Sequence, residues 1–173
     1  MEKYKPDMYQ KSIYSIDYDK LKERGIKCLL IDLDNTLVSP FVKKPNDRIK
    51  ELFNELKEKG FQVIIFSNAL NRRIKPFKEE LGVEAISFAC KPKIKKYKKL
   101  LEEKHLNESE VAMIGDQLLT DIVGGNKVGI TTILINPVSS KDNFPTNISR
   151  LYERHIMKKL REQNLFTRGK YYE

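Results

Sequence analysis

Short apolar runs alternate with amphipathic runs along most of the chain. The apolar runs are nearly continuous, which is typical of strands covered by helices on both faces. Regular alternation of the two patterns predicts an α/β fold in which βα units feed one parallel sheet. The predicted strands are Lys27–Leu33, Phe61–Phe66, Ala85–Ala89, Val111–Ile114 and Thr131–Ile135, and the predicted helices are Asp47–Lys59, Asn71–Leu81, Lys93–His105 and Leu118–Lys127.

Two segments flank this alternating core, which spans residues 27–136. Residues 1–26 are rich in tyrosine and are predicted to be an extension that packs on the core. Residues 137–173 are predicted to be a basic extension that contains an amphipathic helix. Three roles stay open for the apolar stripe of this helix: docking on the core, on a second copy of the chain, or on an anionic membrane. The stripe consists of Ile148, Leu151, Tyr152, Ile156 and Leu160.

The composition indicates one globular domain, since the 173 residues are 40% hydrophobic and 33% charged. We expect a cytoplasmic protein, because we find neither a membrane span nor a signal peptide. Peripheral contact with the inner face of the membrane through the basic tail stays open. The net charge of +9 favours an anionic partner. Nucleic acid is not expected as a specific partner, because the chain lacks the motifs that read bases.

Polar side chains follow four of the predicted strands. In chain order they are Asp32 and Asp34, then Ser67 and Asn68, then Lys91, then Asp116 and, five residues later, Asp121. Ligands of open α/β sheets bind outside the carboxyl ends of the strands. These side chains are therefore predicted to meet at one edge of the sheet and to form the functional site.

Three other motifs have simpler interpretations. The stretch that begins at Asp32 resembles the start of a calcium loop, but such a loop needs glycine at Leu37 and glutamate at Lys43. The pair Asp17 and Asp19 has no apolar strand before it, so we interpret it as a helix cap. The adjacent glycines at positions 124 and 125 are interpreted as the end of the helix before the last strand.

The set of residues at the strand ends suits phosphoryl transfer. A carboxylate can attack a phosphoryl group to form an acyl phosphate, and a second carboxylic acid can protonate the leaving oxygen and then activate water. Anions approach each other only when their charge is compensated. We therefore expect Mg²⁺ on oxygen ligands, together with a lysine and hydrogen-bond donors around the transferred group.

The same residues resemble the four motifs of the haloacid dehalogenase (HAD) superfamily of phosphatases. Asp32-Leu33-Asp34-Asn35-Thr36 matches the first motif, Ser67 the second, Lys91 the third, and the segment from Asp116 to Asp121 the fourth. The segments IDLDNTLV, FSNA and GDQLLTDIVGGNKVGITTILINP are similar to YqeG-like phosphatases of the capless subfamily IIIA. Relatives of that group include phosphatidylglycerophosphate phosphatases. The resemblance implies a Rossmann-like sheet without a large cap domain.

The resemblance also implies a role for each motif residue. Asp32 would be the nucleophile and Asp34 the general acid and base. Ser67 would donate a hydrogen bond to a phosphoryl oxygen, and Lys91 would neutralise the nucleophile and the phosphoryl charge. The implied ligands of Mg²⁺ are Asp32, the backbone carbonyl of Asp34, and Asp116, with Asp121 either behind these ligands or orienting Lys91. The backbone amides of Leu33 and Asp34, together with Asn68, would complete the phosphate cradle.

The spacing of the motifs leaves no room for a lid domain. A short flap at residues 38–46, two helices and a strand fill the intervals between the motif residues. An open site suits a lipid headgroup or a macromolecule, or a homodimer in which a second subunit acts as the lid. We expect a hydrolase of a phospholipid headgroup such as phosphatidylglycerophosphate. A phosphatase of a soluble metabolite, nucleotide or phosphoprotein stays open, as does a non-catalytic regulatory binding module.

Overall fold

In the part of the chain that the structure describes, six parallel strands form one sheet in the order β1-β6-β5-β2-β3-β4. The computed structural model describes residues 1–140 and 144–173, and the side chains of all of these except residues 144–148. The strands are β1 Met8–Gln10, β2 Cys28–Ile31, β3 Gln62–Phe66, β4 Glu84–Ile86, β5 Val111–Gly115 and β6 Thr131–Ile135. The helices are α1 Tyr18–Glu23, α2 Asp47–Glu58, α3 Asn71–Leu81, α4 Lys95–Lys104, α5 Val123–Val128 and α6 Phe144–Glu162. The predicted α/β, Rossmann-like fold is confirmed.

Successive residues of each strand serve opposite faces of the sheet, as the pleat requires. In β2, Leu29 and Ile31 join an apolar cluster that includes residues of α1, α2 and α3. Their neighbours Cys28 and Leu30 join a second cluster with residues of α4 on the other face. Because both faces of β2 are covered, its sequence is apolar at every position.

Strand β1 lies in the amino-terminal segment and was not predicted. It pairs in parallel with β6, placing Met8 opposite Ile133. Tyr9 is almost fully buried, and its ring packs edge-on against Phe166 at a centroid distance of 5.0 Å. The sequence signal was weak because this strand has three residues and ends in glutamine.

Strand β4 is shorter than predicted, because the backbone leaves the sheet after Ile86. Phe88 and Cys90 have positive φ angles of 48° and 58°, which lie outside the range of a regular strand. The apolar residues at positions 87–90 therefore belong to a loop. This loop leads to Lys91 and brings it to the edge of the sheet where β2 and β3 end.

The segment after β5 begins as a π-helical turn, Leu118–Ile122, and continues as α5. The prediction that Gly124 and Gly125 end this helix was wrong, because both lie inside α5. A β-carbon at Gly125 would lie 2.4 Å from Cγ2 of Thr132, so the helix needs glycine there to approach the sheet. The helix ends instead at Gly129, which has a φ of 93°. The predicted cap at Asp17 is confirmed, since its side chain accepts a hydrogen bond from the amide of Lys20 at 3.0 Å.

Helix α6 does not bury the whole predicted stripe. Ile156 and Leu160 pack in the core, but Leu151 and Tyr152 are exposed, so the prediction of one continuous apolar face was wrong. Glu153 takes an inward position instead, where it accepts a hydrogen bond from the amide of Leu119 at 3.1 Å. The side chain of Ile148 lies outside the described residues. Among residues 1–140 and 144–173, no helix has both the length and the apolar character that crossing a bilayer requires.

Candidate active site

Three strands end directly at polar residues of the site. Asp32 follows β2, Ser67 follows β3 and Asp116 follows β5, and all three side chains are buried. The register places Ile31, the last residue of β2, opposite both Ile65 and Ile114. Because the strands are parallel and in this register, their carboxyl ends bring the three polar side chains to one edge of the sheet.

Lys91 lies at the centre of this group, in a fully buried position. Its ammonium group donates hydrogen bonds to Oδ1 of Asp32 at 2.8 Å, to Oδ1 of Asp121 at 2.6 Å, and to the carbonyl of Phe66 at 2.9 Å. Burial alone would lower the pKa of Lys91, but the charges of Asp121 and Asp32 outweigh it and raise the pKa above its ordinary value. Lys91 is therefore charged and held by two carboxylates.

The backbone of Lys91 is fixed by Asn68. The amide of Lys91 donates to Oδ1 of Asn68 at 2.7 Å, and Nδ2 of Asn68 donates to the carbonyl of Lys91 at 3.1 Å. This two-point contact joins the loop after β3 to the loop after β4. The side-chain amide of Asn68 is thus engaged in holding the lysine, and its predicted part in a phosphate cradle stays a prediction.

Asp121 reaches Lys91 because Gly115 leaves room for it. Its second oxygen, Oδ2, accepts a hydrogen bond from the amide of Gln117 at 3.1 Å. A β-carbon built on Gly115 would lie 2.1 Å from this same oxygen. The carboxylate therefore packs directly on the backbone of β5, an arrangement that glycine alone permits.

Replacing Gly115 with alanine is expected to displace the Asp121 carboxylate and to loosen Lys91. We expect the Gly115→Ala variant to lose phosphatase activity by about tenfold or more, since small displacements of a positioned group have effects of this size. Steady-state assays would measure this loss. Asn54→Ala is the matched control, because Asn54 is exposed on helix α2 and alanine suits that position. Equal activity of Gly115→Ala and wild type would contradict the assigned packing.

Three buried carboxylates approach one another at this edge. Oxygen atoms of Asp32, Asp116 and Asp121 all lie within 4.8 Å of each other. Burial raises the pKa of Asp116 to about 8, with the charges of Asp121 and Asp32 adding to the effect and Arg150 opposing it. Burial likewise raises the pKa of Asp121, to about 6. A set of hard oxygen donors with excess negative charge fits a divalent cation such as Mg²⁺.

Asp34 stands apart from the three clustered carboxylates and pairs with Arg73 of α3. Its Oδ1 accepts hydrogen bonds from Nη2 of Arg73 at 2.8 Å and from Nε at 3.1 Å. Burial raises the pKa of Asp34, although Arg73 opposes the shift. The expectation that the backbone carbonyl of Asp34 binds the metal stays a prediction. The sequence reasoning missed Arg73, for which the one available signal was the basic pair at the start of α3.

Arg150 of α6 is a second site residue that the sequence did not reveal. Its guanidinium pairs with Oδ2 of Asp116 and donates through Nη1 to the carbonyl of Asp116 at 2.9 Å. Nη1 also donates to the buried carboxylate of Glu153 at 3.1 Å. Helix α6 thus covers one side of the site and adds a positive charge beside Asp116. Arg150 belongs to α6, and the sequence pattern left the role of this helix open.

The site opens into a cleft of about 560 Å³. Asp32, Asp34, Ser67 and Lys91 lie in its wall, together with Arg72 and Arg73, and Leu70 and Pro40 contribute apolar surface. Between β2 and α2, and between β3 and α3, the chain forms loops, so no cap domain is inserted among the described residues. The expectation of an open site without a large cap is confirmed.

Comparisons with known proteins agree with this geometry. A family model described as mitochondrial PGP phosphatase matches residues 2–139. The Bacillus subtilis (strain 168) protein named "Probable phosphatase YqeG" is 43% identical over 158 residues, covering 91% of this chain and 92% of that protein. Phosphatidylglycerophosphate phosphatase 1 of Arabidopsis thaliana, chloroplastic/mitochondrial, is 29% identical over 174 residues. That match covers 89% of this chain and 47% of the plant protein.

Solved structures share the fold. A candidate HAD superfamily (subfamily III A) hydrolase from Legionella pneumophila aligns with a TM-score of 0.53 and 25% identity, covering 70% of this chain and 72% of that chain. The 3-deoxy-D-manno-octulosonate 8-phosphate phosphatase from Yersinia pestis aligns with a TM-score of 0.57 and 19% identity, covering 72% of each chain. The second likeness concerns the fold alone.

Proposed function

We propose that this chain, which belongs to the mitochondrial PGP phosphatase family, hydrolyses the phosphate monoester of a phospholipid headgroup. The proposed reaction passes through an aspartyl-phosphate on Asp32. The chain is a HAD-type phosphatase. The proposal that Asp32 is the nucleophile rests mainly on the buried contact of Lys91 with both Asp32 and Asp121. This contact neutralises and orients a carboxylate at the floor of an open cleft, as a nucleophile for an anionic substrate requires.

In the first step, Asp32 attacks the phosphorus atom. Lys91 holds Oδ1 of Asp32, so we assign the attack to Oδ2. As the new bond to phosphorus forms, the bond from phosphorus to the ester oxygen breaks, and Asp34 donates its proton to that oxygen. Burial favours the protonated form of Asp34 before this step, because it raises the pKa of the group.

In the second step, Asp34 acts in the reverse direction. It takes a proton from a water molecule, whose oxygen attacks the phosphorus atom of the acyl phosphate. The bond between phosphorus and Asp32 breaks, inorganic phosphate leaves, and both carboxyl groups return to their starting forms. Arg73 binds Oδ1 of Asp34, which leaves Oδ2 to carry the proton in both steps.

The residues around the phosphoryl group supply donors and positive charge. Oγ of Ser67 accepts a hydrogen bond from the amide of Ala69 at 3.2 Å, so its own O–H group is oriented to donate elsewhere. Mg²⁺, when bound, would offset the negative charge of the phosphoryl oxygens and of the carboxylates. Asp32 and Asp116 are the ligands we assign to it. Asp121 is assigned to orienting Lys91, because its Oδ1 accepts a hydrogen bond from that lysine at 2.6 Å.

Two observations support a lipid headgroup as the substrate. The cleft is open to solvent at the edge of the sheet, so a headgroup can enter while the rest of the lipid stays outside. Arg72 lines it beside the catalytic carboxylates and suits a substrate that carries a second anionic group. The plant relative is named for phosphatidylglycerophosphate, which has both a phosphate monoester and a phosphate diester. We assign this class of lipid to the chain.

The substrate assignment is tested by phosphate release in the presence of Mg²⁺. The panel consists of phosphatidylglycerophosphate in mixed micelles, glycerol 3-phosphate, a nucleotide and an aryl phosphate, with Asp32→Asn as the background control. We expect kcat/KM for the lipid to exceed that for glycerol 3-phosphate by about tenfold or more, because the lipid adds contacts with the cleft. Preference for a soluble ester would overturn the lipid assignment and leave the phosphatase intact. No release above background from any substrate would favour a non-catalytic binding module.

A further inference from the structure

Exposed apolar side chains are concentrated in the loops that follow β2, β3 and β4, and residues of these loops line the cleft. Among the described residues, eight large apolar side chains are exposed, and four of them lie in the loops after β2, β3 and β4. They are Phe41, Val42, Leu70 and Phe88, and we call Phe41, Leu70 and Phe88 the rim. Single exposed apolar residues are ordinary, but a group of them beside a binding site marks an interaction surface.

Hydrogen bonds tie the three loops of the rim together. Arg73 donates to the carbonyls of Val42 and Ser39, which fixes the loop after β2 against the start of α3. The amide of Phe88 donates to the carbonyl of Ala69 at 2.8 Å, which joins the loops after β3 and β4. The rim therefore belongs to one connected surface around the cleft.

Phe88 is held outward at the expense of an unfavourable backbone conformation. Its φ of 48° is an outlier for a bulky side chain, and its exposed fraction is 58%. Lys96 donates to the carbonyls of Ser87 and Phe88, at 2.8 Å and 2.6 Å, and stabilises the loop in this form. Backbone strain of this kind is concentrated at functional sites. Nζ of Lys96 lies 5.8 Å from the centre of the Phe88 ring, and the rest of the ring is open to a partner.

The charge of the same surface defines the partner. Besides the buried Lys91, the segments 39–46, 67–73 and 87–96 contain seven lysines and arginines and no aspartate or glutamate. An apolar rim surrounded by cations is complementary to an anionic lipid surface. The apolar side chains enter the boundary of the acyl chains, and the cations bind headgroup phosphates. A second copy of the chain is disfavoured as the partner, because a two-fold contact would bring the same cations face to face.

We propose that the rim docks on the surface of an anionic phospholipid bilayer, with the cleft facing the headgroups. The inference rests on the proposed function in one respect: docking in this orientation presents a headgroup phosphate to Asp32. The docking itself needs no turnover. It can therefore be measured separately from phosphatase activity.

The test is co-sedimentation of the full chain with vesicles of phosphatidylcholine mixed with phosphatidylglycerol, and with vesicles of phosphatidylcholine alone. The rim variant combines Phe41→Ser with Phe88→Asn, because asparagine tolerates a positive φ. The matched variant combines Leu151→Ser with Tyr152→Ser and removes two exposed apolar side chains from α6. Hydrolysis of a soluble aryl phosphate is measured for each protein.

We expect the wild type and the α6 variant to bind the anionic vesicles, and the rim variant to bind about tenfold more weakly. All three should hydrolyse the aryl phosphate equally, whereas Asp32→Asn should bind vesicles and hydrolyse nothing. Wild-type hydrolysis without vesicle binding would overturn the docking proposal and leave the proposed function standing. The proposal would also be overturned if the rim variant bound anionic vesicles as strongly as the wild type, or if the α6 variant lost more vesicle binding than the rim variant. A wild-type dimer that the rim substitutions abolish would overturn it too.

Discussion

The Asp32→Asn variant is expected to lose phosphate release by about 10⁴-fold or more, the size of effect seen when a catalytic nucleophile is removed. Asparagine keeps an oxygen that can accept the hydrogen bond of Lys91, so the geometry of the site survives. The substitution also removes one of three carboxylates that lie within 4.8 Å of each other, which relieves repulsion in the metal-free protein. We therefore expect the variant to be as thermally stable as the wild type, or more so.

Two measurements check this expectation together. Phosphate release in the presence of Mg²⁺ measures the loss of catalysis, and thermal unfolding followed by circular dichroism measures the fold. A variant with residual activity within about tenfold of the wild type would contradict the role of Asp32 as the nucleophile, because the variant lacks the carboxylate that forms the covalent intermediate. A large drop in Tm would mean that lost activity reports unfolding instead.

The Lys91→Met variant is expected to lose stability as well as activity. Lys91 is the buried cation between Asp32 and Asp121, and its removal leaves two buried carboxylates without their partner. Removing one partner of a buried ion pair lowers the free energy of unfolding by about 3–5 kcal/mol, because the other charge stays buried without compensation. Unfolding in urea measures the change. Lys93→Met is the matched control, since Lys93 is exposed and its substitution should change the free energy by less than about 0.5 kcal/mol.

A double variant separates charge from packing. Adding Asp121→Asn to Lys91→Met removes one of the unpaired anions, so we expect it to restore part of the lost stability without restoring turnover. If Lys91→Met unfolds at the same urea concentration as Lys93→Met, the lysine is not compensating buried charge. The assigned function of the ion pairs would then be wrong.

The central part of the fold and the motif positions could be read from the sequence because they depend on local patterns. A strand buried on both faces is apolar throughout, so β2 and β3 were predictable to within two residues at either end. Since parallel strands end at one edge, the polar residues directly after them had to meet there. Asp32, Ser67 and Asp116 follow this rule.

Lys91 was singled out because it follows a predicted strand, but its contacts could not be derived from spacing. It lies on a loop five residues beyond the end of β4, and the loop turns through left-handed residues that no propensity predicts. Asn68 fixes the loop by binding the backbone of Lys91. Such a contact depends on the approach of two loops that are separate in sequence.

Arg73, Arg150 and Gly115 show where sequence reasoning fails for a physical reason. Each acts through a partner that is distant along the chain or through the space it leaves. Arg150 donates to both Asp116 and the buried carboxylate of Glu153, which faces inward from the same helix. The apolar pattern of α6 did not indicate that Glu153 would face inward. Gly115 is the last residue of β5, and its missing side chain leaves room for a carboxylate that lies six residues further along the chain.

The measurement that tests the proposed mechanism most directly is the identification of the phosphorylated residue. The Asp34→Asn variant is mixed with Mg²⁺ and an aryl phosphate, whose good leaving group needs no acid, and the mixture is quenched in acid. Because this variant lacks the base that activates water, the acyl phosphate should accumulate. Peptide mapping by mass spectrometry is expected to find one phosphoryl group on Asp32, and none when Asp32→Asn is added. A phosphoryl group on Ser67 or on another residue would contradict the mechanism, as would unmodified protein that still releases phosphate.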